Sequence, residues 1–253
     1  MLRKNNMKTF NVTDVRSNFV DLLTKKQFTT DKSGVKTIEI INASFEATDT
    51  HIFGAVNEDY ARRELAWYRS LSRNVNDIPG GPPAIWQQVA SRAGNINSNY
   101  GWCVYSDENG NQFSRVLDEL TANVYSRRAT MIYTRPTMHK DYNTDGMSDF
   151  VCTNTVQYFI REGLLHALVY MRSNDGWAGY RNDYHWQNYI HKELLTAMNQ
   201  QNGTGYGLGT MYWNVASLHM YERQFYLVEH YDKTGETSIS KSDYLRSLGL
   251  VEM

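Results

Sequence analysis

Two apolar runs near the middle of the chain, Val156 to Ile160 and Leu164 to Met171, are separated only by Arg161-Glu162-Gly163. Short runs rich in Val, Leu and Tyr, joined by so brief a polar link, predict a β-hairpin. Downstream the period changes. From Tyr184 the apolar positions Trp186, Tyr189, Ile190, Leu194, Ala197 and Met198 recur at three- and four-residue steps, which predicts a helix with one face on a core. Met211 to Leu218 then reads as a buried strand. Upstream, Asn57-Glu58-Asp59 has the signature of a helix start, with acids in the first turn and Ala61, Leu65 and Tyr68 along one face. Ile78-Pro79-Gly80-Gly81-Pro82-Pro83 is a loop too short to act as a linker between domains. With no repeat or linker in view, the pattern predicts one α+β domain over residues 1–253.

Composition adds bounds rather than detail. A chain of 253 residues buries roughly 70–75% of its unfolded surface in one core. Its 26 basic and 27 acidic residues give a net charge of -1, which excludes a general attraction to nucleic acid and leaves any phosphate to local contacts. No stretch reaches the ~20 apolar residues of a membrane span. The start, Met1 to Lys8, is basic without the apolar run of a secretion signal. Cys103 and Cys152 are 49 residues apart with no C-x-x-C pair, which fits a reduced, cytoplasmic compartment. His185 and His191 are six apart, on different faces of a helix, so no metal site is expected. Gly203-Thr204-Gly205-Tyr206-Gly207-Leu208-Gly209 lacks the following Lys-Ser/Thr of a phosphate loop and reads as a flexible turn.

The candidate chemistry sits around the hairpin. Cys152 precedes its first strand, Arg172-Ser173-Asn174-Asp175 follows its second, and Asp183 comes eight residues after Asp175. A cysteine beside apolar strand residues is more often a small buried hydrophobe than a nucleophile. A free thiol of pKa about 8.5 needs a nearby cation to act as a thiolate, and Arg172 supplies one if the strands pair.

These elements, in order with Arg63-Glu64-Leu65, Ile85-Trp86-Gln87, Asn97-Ser98-Asn99-Tyr100-Gly101, Ser126-Arg127-Arg128 and Trp213 to Tyr221, resemble the thymidylate synthase superfamily. Within it they are most similar to the deoxycytidylate hydroxymethylases of T-even-type bacteriophages. The resemblance implies a large mixed β-sheet covered by helices, with sheets packed back-to-back in a homodimer. It implies transfer of a one-carbon unit from 5,10-methylenetetrahydrofolate to carbon 5 of dCMP, ended by water.

Site roles follow from the resemblance alone. Cys152 adds to carbon 6 of the base, Glu64 orders water and moves protons, and Asp183 reads the base. Phosphate falls to Arg172, Ser173 and Lys32, with Arg127 and Arg128 reaching over from the second subunit. His219 and Tyr221 alternate and face the sugar; Trp86 and Asp175 meet the folate. Asn154 and Gln157 lie beside the nucleophile. The resemblance also implies host cytoplasm, modified-DNA synthesis and room for contacts with other nucleotide-making enzymes.

Asp183 carries its own argument. Cytosine offers an amine donor and an unprotonated ring nitrogen, which a carboxyl sharing a proton complements. Opposite uracil the same group leaves a buried acceptor unsatisfied, at about 1–3 kcal/mol. Superfamily members that take uracil carry asparagine at this position. Two departures from synthases accord with a hydrating end: Thr153 after the cysteine, and the tail Leu248 to Met253. A reductive methylase and a non-catalytic nucleotide- or RNA-binding descendant are the alternatives.

Overall fold

The computed structural model describes residues 10–250, so the basic start and the last three residues of the tail lie outside the described residues. The apolar runs form the expected hairpin, β4 (Thr153–Arg161) and β5 (Leu164–Met171), in antiparallel register from Arg161↔Leu164 back to Thr153↔Met171. Glu162 and Gly163 turn the chain at φ 52° and 76°, the left-handed pair that matches the twist of a tight hairpin. The other strands are β1 (Thr29–Thr30), β2 (Lys36–Glu46), β3 (Thr130–Ile132), β6 (Asn174–Asp175) and β7 (Gly207–Tyr221). They order as β1-β2-β7-β5-β4-β3, with β6 beside β7. β7 runs parallel to β5 and β6 and antiparallel to β2, so the sheet is mixed.

The helices are α1 (Val12–Thr24), α2 (Glu58–Ser70), α3 (Ala84–Val89), α4 (Tyr100–Tyr105), α5 (Gln112–Ala122), α6 (Met138–Asp141), α7 (Ala178–Asn202), α8 (Phe225–Thr234) and α9 (Lys241–Ser247). α7 is the crossover that a parallel β5–β7 pair requires. It starts at Ala178 rather than near Tyr184, because its first turns mix the core residue Tyr180 with the polar Arg181, Asn182 and Asp183 and so dilute the apolar pattern there. Asp175 Oδ1 accepts from Trp177 N at 2.9 Å and so steadies that early start. β7 is likewise longer than Met211 to Leu218. Met211, Trp213 and Val215, then Leu218 and Met220 after a break at Ala216-Ser217, face inward among less buried residues, so the strand is buried on one face only. Gly203 ends α7 in a left-handed conformation, and Gly207 to Gly209 belong to β7 rather than to a free turn.

The helices cover one face, over a core that includes Trp67, Trp186, Trp213, Tyr158 and Tyr180, all fully buried. α2 begins at Asn57, whose side chain accepts from Tyr60 N at 3.0 Å. A Cβ on Gly101 would lie 1.8 Å from the Tyr68 carbonyl oxygen, so only glycine lets α4 seat on α2 and bring Tyr100 inward. The opposite face of the sheet carries apolar side chains in the open: Ile41 is 69% exposed, Ile132 54% and Tyr170 37%. Among the described residues no helix is long and apolar enough to cross a membrane.

Candidate active site

Cys152 and Arg172 extend the hairpin by one rung beyond its paired strands, with Arg172 N donating to Cys152 O at 2.9 Å. The guanidinium folds back over the segment that carries Cys152. Nε donates to Val151 O at 3.0 Å and Nη2 to Phe150 O at 2.5 Å, while Nη2 stands 3.5 Å from Cys152 Sγ. Its partners there are carbonyls and, among the described residues, no carboxylate pairs with it, so its positive charge is open to a thiolate or a phosphate. Burial still dominates the half-buried sulfur. The Cys152 thiol is pushed up to about 12, with Arg172 opposing and Asp183 and Asp149 reinforcing the rise.

Asp149 fastens this segment to the start of α4. Its carboxylate accepts from Asn97 N and Ser98 N, each at 2.7 Å, and from Ser98 Oγ at 2.8 Å. Tyr100, 4% exposed, lies within the electrostatic reach of both Cys152 and Asp183, which with burial push its phenol up.

Two carboxyls complete the centre. Asp183 projects from the second turn of α7, and its Oδ2 accepts from Asn174 Nδ2 at 2.7 Å. Burial first, then the charge of Glu64, push it up to about 7. Glu64, on α2 and 5% exposed, is also pushed up to about 7, by burial against the opposing donors Tyr60 and Trp86. Tyr60 Oη donates to Glu64 Oε1 at 2.5 Å, and the Trp86 indole nitrogen donates to Tyr60 Oη at 2.8 Å and Glu64 Oε1 at 3.3 Å. That network turns the edge of Trp86 toward the carboxylate and fixes its ring. Two neighbouring carboxyls near neutrality can hold and exchange protons at physiological pH.

The rim is built by β6 and β7. Asp175 pairs with His219 across the parallel ladder, and burial pushes its carboxyl up against the Trp177 amide and His219. His219 and Tyr221 lie two apart on β7, with ring centroids 5.1 Å apart at 86°. Burial, then the charges of Asp175 and Asp31, push the Tyr221 phenol up. Lys32 is exposed in the Asp31–Val35 turn, at the end of β2 that pairs with Tyr221. Ser173 is half-buried in the link between β5 and β6, and Asn154 occupies a bulge whose carbonyl receives Tyr133 N at 2.9 Å.

Three expected site residues are not gathered here. Gln157 is five residues into β4, about 16 Å along the strand from Cys152 at ~3.3 Å per residue. Strand alternation turns it to the outer face, where its amide donates to Arg127 O at 2.5 Å. It is therefore not beside Cys152, where it was expected. Arg127 and Arg128 are exposed and lie level with Tyr158, and Arg128 pairs with Glu119 at 3.0 Å. Within one chain neither reaches the thiol. Sequence reasoning in turn missed Tyr60, Tyr100, Asp149 and Asn174. The i, i+4 spacing of Tyr60 and Glu64 was one visible signal, and Tyr100 and Asn174 lay inside matched segments without being assigned a role. Among the described residues no three His, Cys, Asp or Glu side chains are grouped as a metal centre.

The thymidylate synthase family profile matches residues 17–239. The chain is 56% identical over 235 residues to the deoxycytidylate 5-hydroxymethyltransferase of Enterobacteria phage T4, covering 92% of this chain and 96% of that one. To the enzyme of the same name from Enterobacteria phage T2 it is 55% identical over 234 residues, covering 92% and 95%. Thymidylate synthase 1 of Bacillus subtilis (strain 168) is more distant, at 31% over 170 residues, 64% of this chain and 57% of that protein. Among solved structures, the thermostable thymidylate synthase A from Bacillus subtilis superposes with a TM-score of 0.61 at 22% identity, over 85% of this chain and 82% of that one. This last likeness concerns the fold alone.

Proposed function

The chain belongs to the thymidylate synthase family, and from that premise we propose that it is a deoxycytidylate 5-hydroxymethyltransferase. It converts dCMP, 5,10-methylenetetrahydrofolate and water to 5-hydroxymethyl-dCMP and tetrahydrofolate. The observation that carries the reading is Cys152 Sγ standing 3.5 Å from the Arg172 guanidinium, with the Asp183 carboxyl near enough for its charge to act on the thiol.

Each residue has a task that its surroundings support. Arg172 stabilises negative charge on Cys152 as the sulfur bonds to carbon 6, compensating for a resting thiol that is protonated at neutral pH. Asp183, poised near neutrality, gives a proton to the ring nitrogen and so offsets charge that develops as carbon 5 becomes nucleophilic. Glu64, held by Tyr60 and Trp86, takes up and returns protons at the ring and orients the water that ends the reaction. When bound, methylenetetrahydrofolate supplies the one-carbon unit. An aromatic platform at Trp86 and a half-buried acceptor at Asp175 fit its pterin. Phosphate is held by Arg172, Ser173 and Lys32, and the sugar hydroxyl by His219 and Tyr221; Asn154 stays close to the nucleophile.

The remaining phosphate contacts, Arg127 and Arg128, belong to a second copy in this reading. The open apolar face bearing Ile41, Ile132 and Tyr170 supports back-to-back pairing, because a patch of this kind is stable in water when another surface covers it. The product serves modified-DNA synthesis in the host cytoplasm of a phage infection. Product mass is the test. Incubation with dCMP and methylenetetrahydrofolate is expected to add about 30 daltons (CH₂O) without dihydrofolate, through covalent capture of the base. A gain of about 14 daltons with stoichiometric dihydrofolate would replace this reading with a reductive methylase.

A further inference from the structure

We infer that Asn174, oriented by Trp213, is a positioning residue that decides which oxygen of the Asp183 carboxyl bears its proton, and thereby sets the base preference jointly with Asp183. The inference rests on the reading of Asp183 as the residue that meets the pyrimidine.

Trp213 is fully buried and Asn174 is 3% exposed. The indole nitrogen of Trp213 lies 3.2 Å from Asn174 Oδ1, and Asn174 Nδ2 lies 2.7 Å from Asp183 Oδ2. An indole nitrogen only donates, so the amide oxygen must face Trp213 and the amide N–H must face Asp183. Turning the amide over would oppose two buried donors at Trp213. A Cβ on Gly179 would lie 3.0 Å from Asn174 Nδ2, so the α7 backbone closes round the amide and limits its movement.

An oxygen that receives an N–H cannot point its own O–H back along that line. Oδ2 is thereby favoured as the acceptor oxygen, which places the proton of a neutral Asp183 on Oδ1, away from the Asn174 amide. Cytosine needs this arrangement, with an acceptor for its exocyclic amine and an adjacent donor for its ring nitrogen. Uracil presents the reverse order. Its carbonyl would face Oδ2, and its ring N–H would face the Oδ1 proton. Asn174 thus excludes uracil without touching the base, through an orientation passed along β7, β6 and α7.

The same lock acts on an amide at position 183. In Asp183→Asn, the Asn174 N–H holds the new amide's oxygen toward itself, leaving the NH₂ for the ring nitrogen, still a cytosine-type display. The single variant is expected to lose activity on dCMP and acquire only slight activity on dUMP. Adding Asn174→Ala frees that amide to turn, and kcat/KM for dUMP is expected to rise about tenfold over the single variant, chiefly through KM. Trp213→Phe in the Asp183→Asn background releases the same lock and is expected to act in the same direction. Structural damage alone would not raise activity on a second substrate. Far-UV circular dichroism checks folding, and calorimetric dUMP binding gives the same ranking where turnover is lost. If neither double variant exceeds the single on dUMP in turnover or binding, the role assigned to Asn174 is wrong. Failure of the unaltered protein to convert dCMP would instead overturn the reading of the site itself.

Discussion

Cys103 and Cys152 are both free thiols, and burial pushes both up to about 12. Arginine charge opposes the rise and Asp149 adds to it at both, but their access and direct partners differ. Cys103 is 2% exposed on α4, and its sulfur approaches the Asn97 carbonyl at 3.9 Å. Cys152 is half-buried at a strand end, with a guanidinium 3.5 Å from its sulfur. Resting acidity therefore does not separate a structural cysteine from a reactive one. Access, and a cation whose other partners leave its charge uncancelled, do so.

The largest expected effect breaks the pair apart. Cys152→Ser should lower turnover of dCMP by about a thousandfold or more, while Cys103→Ser leaves it within about twofold, measured as product formed per subunit. Retained turnover in Cys152→Ser would end the covalent mechanism. A second measurement sharpens the comparison through pH. With iodoacetamide, Cys152 should be alkylated at a rate that climbs about tenfold per pH unit from 7 to 9, as expected for a thiol well below half-ionised. Peptide mass mapping should find Cys103 unlabelled until denaturant is added. A plateau near pH 7 would mean that Arg172 already outweighs burial before substrate arrives. The smallest effect concerns Cys103 alone. Its replacement by serine places a hydroxyl among apolar neighbours and should cost about 1–3 kcal/mol in urea unfolding, with turnover of the folded fraction intact.

Much of the fold was legible in short-range pattern. The hairpin followed from two apolar runs and a two-residue turn, and the start of α2 from Asn57 and its acids. Boundaries failed where function intrudes. α7 begins six residues early because Tyr180 is followed by the polar Arg181, Asn182 and Asp183, which interrupt the apolar period that marks the rest of the helix. Gln157 was misread for a related reason. Proximity to Cys152 in sequence says nothing of side, and alternation along β4 sends it to the outer face.

The hairpin, α2, most of α7 and part of β7, together with the family and the chemical repertoire, were readable without the structure, because apolar spacing, turn residues and residue type are local properties. Tertiary structure alone decided that Tyr60, Glu64 and Trp86 form one network, that Trp213 orients Asn174 toward Asp183, and that Arg127 and Arg128 stand away from their own chain's thiol. Trp213 and Asn174 are 39 residues apart along the chain and meet only because α7 returns β7 alongside β6. Hydrogen-bond direction across such a crossover depends on three-dimensional register, which no local pattern encodes.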